Sequence, residues 1–118
     1  MDNLINRENI NKTIGTDPNL IKKIVSLYFR DAPKLLAELE EAAKNEDNKN
    51  MAEKAHALKG ITSYYNNDVV YNLCLKLERA GKENSMPEKN EEINSSLSQL
   101  KEMLSLLIEE LKVYIEQI

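Results

Sequence analysis

Glycine, proline and cysteine are scarce in this sequence, and tryptophan is absent. The 118 residues include three glycines, three prolines, one cysteine and one histidine, and aromatic residues make up 5%. Because glycine and proline form most tight turns, their scarcity predicts few and long secondary-structure elements. Leu, Glu, Lys and Ala are frequent in the periodic segments, so these elements should be helices. The lone cysteine, Cys74, excludes an internal disulfide and favours a cytoplasmic location.

The chain also lacks the patterns of nucleic-acid-binding and membrane proteins. Its net charge is −4, and no block of Lys and Arg interleaves with aromatic residues, which argues against a nucleic-acid partner. No apolar run approaches the roughly 18 residues that cross a bilayer. Residues 1–10 are polar and lack the apolar segment of a signal peptide. We therefore expect a cytoplasmic protein without a membrane partner, folded as a single domain over residues 1–118.

Apolar spacing and local start signals place the first two helices. A short helix is predicted over about residues 3–14. Asp17-Pro18 then marks the start of the second helix, because Asp caps free N–H groups and Pro suits the first helical position. The apolar phase is unchanged across Pro33. This favours one long helix, about 18–45, bent at that proline, and two helices meeting there is the alternative.

Three further helices follow by the same reasoning. One is predicted over about 49–65, where the polar residues 66–68 break it. The next begins near Val69 and ends at Gly81 or has Gly81 in its last turn. Pro87 is predicted to open the final helix. The predicted fold is therefore all-α, an up-down antiparallel four-helix bundle with a short extra N-terminal helix.

His56, the only histidine, is the candidate for chemistry. At about 100° per residue it points away from the apolar stripe of its helix, so its side chain should face solvent. Gly60 and Ser63 lie on the same face. A glycine inside a helix costs roughly 0.5–1 kcal/mol relative to Ala, which is reasonable if a partner must approach the imidazole. A helix–helix crossing at Gly60 is the alternative. Lys59 lies about one helical turn after His56, where its charge can attract an anionic group attached to the imidazole.

The sequence around His56 resembles a known family. Residues 55–60, A-H-A-L-K-G, resemble the A-H-x-L-K-G signature of histidine-containing phosphotransfer domains in two-component phosphorelays. Residues 73–78 are similar to the family's C-x-x-L-E run, Gly81-Lys82 to its small-then-basic pair, and residues 27–33 to its L-F-x-x-D-A-P stretch. The resemblance covers about residues 17–82. It departs at Asn66-Asn67, where the family usually has Gly-Ala.

The resemblance implies a phosphoryl carrier that is not itself an enzyme. His56 would accept a phosphoryl group from the aspartyl-phosphate of one response-regulator receiver domain and pass it to the aspartate of another. Lys59 and Lys82 would stabilise the phosphate, and Gly60 and Ser63 would leave space around the histidine. The receiver would supply Mg²⁺, so we expect no metal or cofactor bound to this chain. A hybrid histidine kinase is a further expected partner, and a monomer is the expected state.

Three other functions are alternatives to a phosphoryl carrier. Glu53-x-x-His56 has the spacing of a di-iron carboxylate site, but such a site needs the motif twice, and a single histidine excludes it within one subunit. A histidine kinase dimerisation helix usually has a proline soon after its histidine, and none occurs between His56 and Pro87. The remaining alternative is a non-catalytic structural or adaptor bundle. Exchange of label with a phosphorylated receiver distinguishes it from a carrier.

Overall fold

Helices account for most of residues 4–118, the part of the chain that the computed structural model describes. They are α1 (Arg7–Thr13), α2 (Pro18–Lys44), α3 (Asn48–Thr62), a 3₁₀ turn (Ser63–Tyr65), α4 (Asp68–Lys82) and α5 (Asn90–Gln117). No β-strand occurs in the described range, so the all-α prediction is confirmed. α1 begins at Arg7, so the prediction that the first helix starts near residue 3 is wrong over residues 4–6, and residue 3 itself lies outside the described residues. Asn6 caps the helix instead, since its side chain accepts a hydrogen bond from the Asn9 N–H at 2.9 Å. No helix in residues 4–118 combines the length and the apolar character that a bilayer crossing requires.

α2 is one helix of 27 residues that continues through Pro33. Asp17 caps it, since its side chain accepts a hydrogen bond from the Asn19 N–H at 3.0 Å. Pro33 lies on the exposed side of the helix, so the helical hydrogen bond that a proline cannot donate is lost away from the core. The opposite face is buried through Ile21, Val25, Tyr28, Ala32, Leu36, Leu39 and Ala42. The prediction of a single helix is confirmed, and the bend at Pro33 stays a prediction.

Four helices pack in a closed ring around one hydrophobic core. α2 and α4 each pack against both α3 and α5. α2 and α3 are antiparallel. Tyr28, in the first half of α2, bonds Thr62 at the end of α3, whereas Glu38, later in α2, pairs with Lys54, earlier in α3. The core contains residues from all five α-helices. This arrangement is that of a four-helix bundle, and the complete up-down order of its helices stays a prediction.

α5 begins at Asn90, so the prediction that Pro87 opens this helix is wrong. The Lys89 N–H instead donates to the Ser85 carbonyl at 3.1 Å and to the Met86 carbonyl at 3.3 Å, and the second of these bonds closes a turn with Pro87 at its second position. The fixed φ of proline suits that position of a turn as well as it suits the first turn of a helix. The turn also brings Met86, which is buried, into the core before the helix begins.

At Gly81 the backbone of α4 lies close to the backbone of α3. This glycine lies in the last turn of α4, as one of the two sequence interpretations held. A Cβ added there would lie 2.5 Å from the Asn48 carbonyl oxygen and 2.7 Å from the Ala52 nitrogen. Both atoms belong to the backbone of α3, so no side-chain rotation relieves the overlap. Glycine at this position is therefore needed for the helix crossing.

Gly81→Ala should destabilise the fold by about 1–3 kcal/mol, because the two helices must separate to admit one methyl group. This loss outweighs the roughly 0.5–1 kcal/mol that Ala contributes as the better helix former. Urea unfolding followed by circular dichroism measures the difference. Gly60→Ala is the matched control, since no heavy atom of another described element lies within 4 Å of its added Cβ. Equal unfolding free energies for Gly81→Ala and the wild type would contradict the assigned crossing.

Candidate functional site

His56 lies on the outer face of α3, and 69% of its side chain is exposed. The opposite face of the helix is buried in the core through Met51, Ala55, Leu58 and Thr62. This division follows from the helical repeat, which places every third or fourth residue on the same side. The prediction of an exposed histidine in the middle of its helix is confirmed.

A buried carboxylate from α4, that of Glu78, forms the base of the site. Its Oε2 lies 2.9 Å from His56 Nδ1 and 3.1 Å from the Lys82 ammonium, and its Oε1 lies 2.6 Å from the Lys59 ammonium. Only 3% of the Glu78 side chain is exposed. The structure thus brings together His56, Lys59 and Lys82, three of the residues that the sequence singled out, around a fourth that it had not assigned to the site.

The charge of Glu78 is maintained by its three partners. Burial of this carboxylate would raise its pKa, but hydrogen bonds from Lys59, Lys82 and His56 outweigh burial and lower the pKa to about 2. The group is therefore ionised at neutral pH in spite of its position. An ionised acceptor this close to Nδ1 favours the imidazole tautomer in which Nδ1 carries the proton.

The sequence motif includes Glu78 only as the last residue of the C-x-x-L-E run. A stronger signal was present, because Cys74, Leu77 and Glu78 are spaced as neighbours on one face of a helix, and that face is apolar. A carboxylate on such a face must be paired or protonated, since an isolated buried charge is strongly unfavourable. His56, Lys59 and Lys82 were the available partners, so this pattern indicates a buried ion cluster.

Glu78→Gln should lower the free energy of unfolding by about 1–3 kcal/mol at pH 7, because it removes the counter-charge of the largely buried Lys59. The folded-state pKa of Glu78 is about 2 and its ordinary value is 4.5. A lowered pKa contributes stability above pH 4.5 that is lost as the pH falls toward 2. The deficit of the variant should therefore shrink over that interval. Urea unfolding at several pH values measures it.

The control for that variant is Glu102→Gln, which makes the same chemical change at an exposed position of α5. It should leave the unfolding free energy within about 0.5 kcal/mol of the wild type at every pH. A deficit of Glu78→Gln that stays constant from pH 7 to pH 3 would show that the charge of Glu78 is not what stabilises the cluster.

The outer face beyond His56 is open. Gly60 is exposed, and no heavy atom of another described element comes within 4 Å of the position of an added Cβ. Within residues 4–118, no helix therefore crosses α3 at Gly60, and that alternative is excluded. The Ser63 hydroxyl donates a hydrogen bond to the Gly60 carbonyl at 2.6 Å, which holds it against the helix. Both residues leave free space along the face that carries the imidazole.

The two lysines differ in their freedom to move. Lys59 is 17% exposed, and its ammonium is enclosed between Glu78 and the ring of Tyr71, whose centroid is 5.7 Å away. Lys82 is 67% exposed, and its ammonium lies 3.1 Å from Oε2 of the same carboxylate. Lys59 is thus a fixed charge beneath the site, whereas Lys82 has a solvated chain that can reorient toward a group on the histidine.

Cys74 does not compete with His56 as a nucleophile. Its side chain is buried in the core, and burial raises the pKa of the thiol to about 12. The reactive thiolate is therefore scarce at neutral pH. This agrees with the prediction that Cys74 is a small core residue.

Comparison with known proteins relates the chain to a domain family. A family model described as Hpt domain matches residues 23–111, a range that includes His56, Glu78 and most of the four long helices. No curated protein and no solved structure shows a significant match to the chain.

Proposed function

Because the chain belongs to the Hpt domain family, we propose that it carries a phosphoryl group on His56 between response-regulator receiver domains. One observation supports His56 as the residue that accepts the phosphoryl group. The imidazole is exposed, while its Nδ1 lies 2.9 Å from the buried Glu78 carboxylate. The hydrogen bond leaves the lone pair of Nε2 directed outward, where an incoming phosphorus atom can reach it.

The transfer step follows from that geometry. Nε2 attacks the phosphorus of the receiver's aspartyl-phosphate, the N–P bond forms, and the bond from phosphorus to the carboxyl oxygen breaks. The aspartate leaves as a carboxylate, and the ring keeps its Nδ1 proton and becomes positively charged. Glu78 stabilises that charge through the bond it already makes. The reverse sequence with a second receiver returns the chain to its starting state. We expect the receiver to supply Mg²⁺.

The charges around His56 favour an attached phosphoryl group. Two ammonium groups, those of Lys59 and Lys82, surround the single carboxylate of Glu78, so the cluster has a net charge of +1 before the histidine is counted. An anionic phosphoryl group on Nε2 would be attracted to this excess. We propose that Lys82 reorients toward the phosphoryl group, and that Lys59 acts at longer range from its enclosed position.

The docking surface is proposed to include the α2 side of α3. Leu27 is 40% exposed and Tyr64 is 36% exposed, and they flank a cleft whose walls include the half-buried Ile24 and Ile61. Exposed apolar groups in such a cluster are typical of a protein interface. Gly60 leaves room between this patch and His56. The patch therefore offers a receiver an apolar contact beside the reacting nitrogen.

The proposed function also implies binding partners, an oligomeric state and a cellular location. A hybrid histidine kinase and receiver domains are the proposed partners. We propose a monomer of one domain, because α3 and α4 of a single chain supply all of His56, Lys59, Glu78 and Lys82. A cytoplasmic location is proposed from the single cysteine.

Incubation of the chain with a receiver domain labelled by ³²P-acetyl phosphate tests the proposed function. We expect label to move onto the chain, to resist alkali and to be released by acid, as a phosphoramidate bond requires. Addition of an unlabelled second receiver should remove it. A chain that takes no label from any receiver of its own organism would contradict the proposal and favour the adaptor bundle.

A further inference from the structure

A small cleft lies at the junction of α3 and α4, beside the face that carries His56. Its volume is about 210 Å³, and its walls are Thr62, Ser63, Asn66, Asn67, Asp68 and Tyr71. Ser63 follows His56 by seven residues, or two turns, so the cleft opens on the same face about 10 Å along the helix axis. A partner seated over His56 therefore reaches this cleft as well.

The walls of the cleft favour a cation. Asp68 is the only residue among them that is charged at neutral pH, and it is exposed and forms no ion pair within residues 4–118. Tyr71 is 42% exposed, and its ring already contacts one ammonium, that of Lys59. A carboxylate beside an aromatic face attracts a positively charged side chain that also has an aliphatic stem.

The amino end of α4 does not convert the cleft into a site for anions. Asn67 caps this end, since its Oδ1 accepts a hydrogen bond from the Val70 N–H at 3.0 Å. Asp68 lies in the first turn, where its charge opposes the positive end of the helix dipole. The attraction of this helix end for anions is therefore already compensated by the protein itself.

Opposite charges stand at the two ends of the histidine site. Asp68, Tyr71, Glu78 and Lys82 lie on one stripe of α4, because their spacing follows the helical repeat. The Lys82 side chain, which is 67% exposed, lies at one end of the site, and the exposed Asp68 lies at the other. A partner with matching charges is favoured in one orientation over the reverse, since the reverse places like charges together.

We propose that the cleft is a specificity contact for the receiver, occupied by a lysine or arginine from a receiver loop. Its aliphatic stem packs on the ring of Tyr71, and its cation pairs with Asp68. The inference rests on the proposed function, because it concerns the partner of the same site. The contact orients the receiver over His56 and discriminates among receivers that differ at this loop position.

The contact is tested by measuring phosphoryl transfer to the Asp68→Lys variant. The donor is a phosphorylated receiver domain that transfers to the wild-type chain. The receiver concentration that gives half-maximal rate should rise about tenfold, with a smaller change in the maximal rate, because the contact acts on docking. Tyr71→Ala should change the half-maximal concentration in the same direction. Glu102→Lys is the matched control, since it makes the same change of charge on α5, away from the site, and should leave both quantities unchanged.

A charge exchange completes the test. Replacing the receiver's matching lysine or arginine by glutamate should restore the half-maximal concentration with Asp68→Lys. If Asp68→Lys unfolds at a lower temperature than the wild type, Asp68→Asn replaces it. The half-maximal receiver concentration for Asp68→Asn should rise about threefold. An unchanged half-maximal concentration in a folded variant overturns the cleft contact and leaves the proposed function intact. Failure of every receiver to label the wild-type chain overturns the proposed function, and the inference with it.

Discussion

His56→Gln should abolish phosphotransfer and leave the fold intact. The variant removes the only imidazole of the chain, and the thiol of Cys74 is buried with its pKa raised to about 12. A glutamine amide has no nucleophilic nitrogen, because its lone pair is delocalised into the carbonyl. It can nevertheless donate a hydrogen bond to Glu78, so the buried carboxylate keeps a partner. At a site this exposed we expect the unfolding free energy to change by no more than about 0.5 kcal/mol.

The measurement pairs a thermal melt with transfer from a labelled receiver. Label on the variant should fall to the background of a reaction without the chain, while the melting curve overlays that of the wild type. Glu102→Gln, on α5, is the control and should be labelled normally. Acid-labile label retained by His56→Gln would show that another residue accepts the phosphoryl group.

The helices and the exposure of the histidine were predictable because they depend on local periodicity. The apolar phase on either side of Pro33 indicated one helix, and α2 is continuous there. The same projection placed His56 outward, since the buried side of α3 was already defined by its apolar residues. Such inferences succeed because a helix converts sequence spacing directly into direction in space.

The features that were missed depend on contacts between helices. Gly81 was predicted to end α4 or to lie in its last turn, and neither interpretation indicates the crossing with α3, which only the distance to Asn48 reveals. Pro87 had two permissible positions, and the burial of Met86 favoured the turn over the helix start. Glu78 carried a readable signal, a carboxylate on an apolar stripe. Its three partners come from two helices, and only the packing of α3 on α4 shows that one carboxylate binds all of them.

Gly60→Gln should retain its stability and lose transfer by about 100-fold. The site tolerates a side chain because no other described element lies within 4 Å of an added Cβ, and glutamine is a better helix former than glycine. We therefore expect the free energy of unfolding of Gly60→Gln to be no lower than that of the wild type. The new side chain nevertheless lies one turn from His56 on the face that the receiver must approach. In-line attack depends on close placement, and a displacement of about 1 Å can reduce a rate on the order of 100-fold.

Gly60→Ala is the matched variant that separates the size of the side chain from the loss of glycine itself. Its methyl group is short, so transfer should stay near the wild-type rate while stability rises by up to about 1 kcal/mol. Thermal melts and timed transfer from the same phosphorylated receiver measure all three proteins together. An early melt of Gly60→Gln would show that this surface is not open in the folded protein. A normal transfer rate for a well-folded Gly60→Gln would show that the receiver approaches His56 from another direction. The open face around Gly60 would then not be needed for docking.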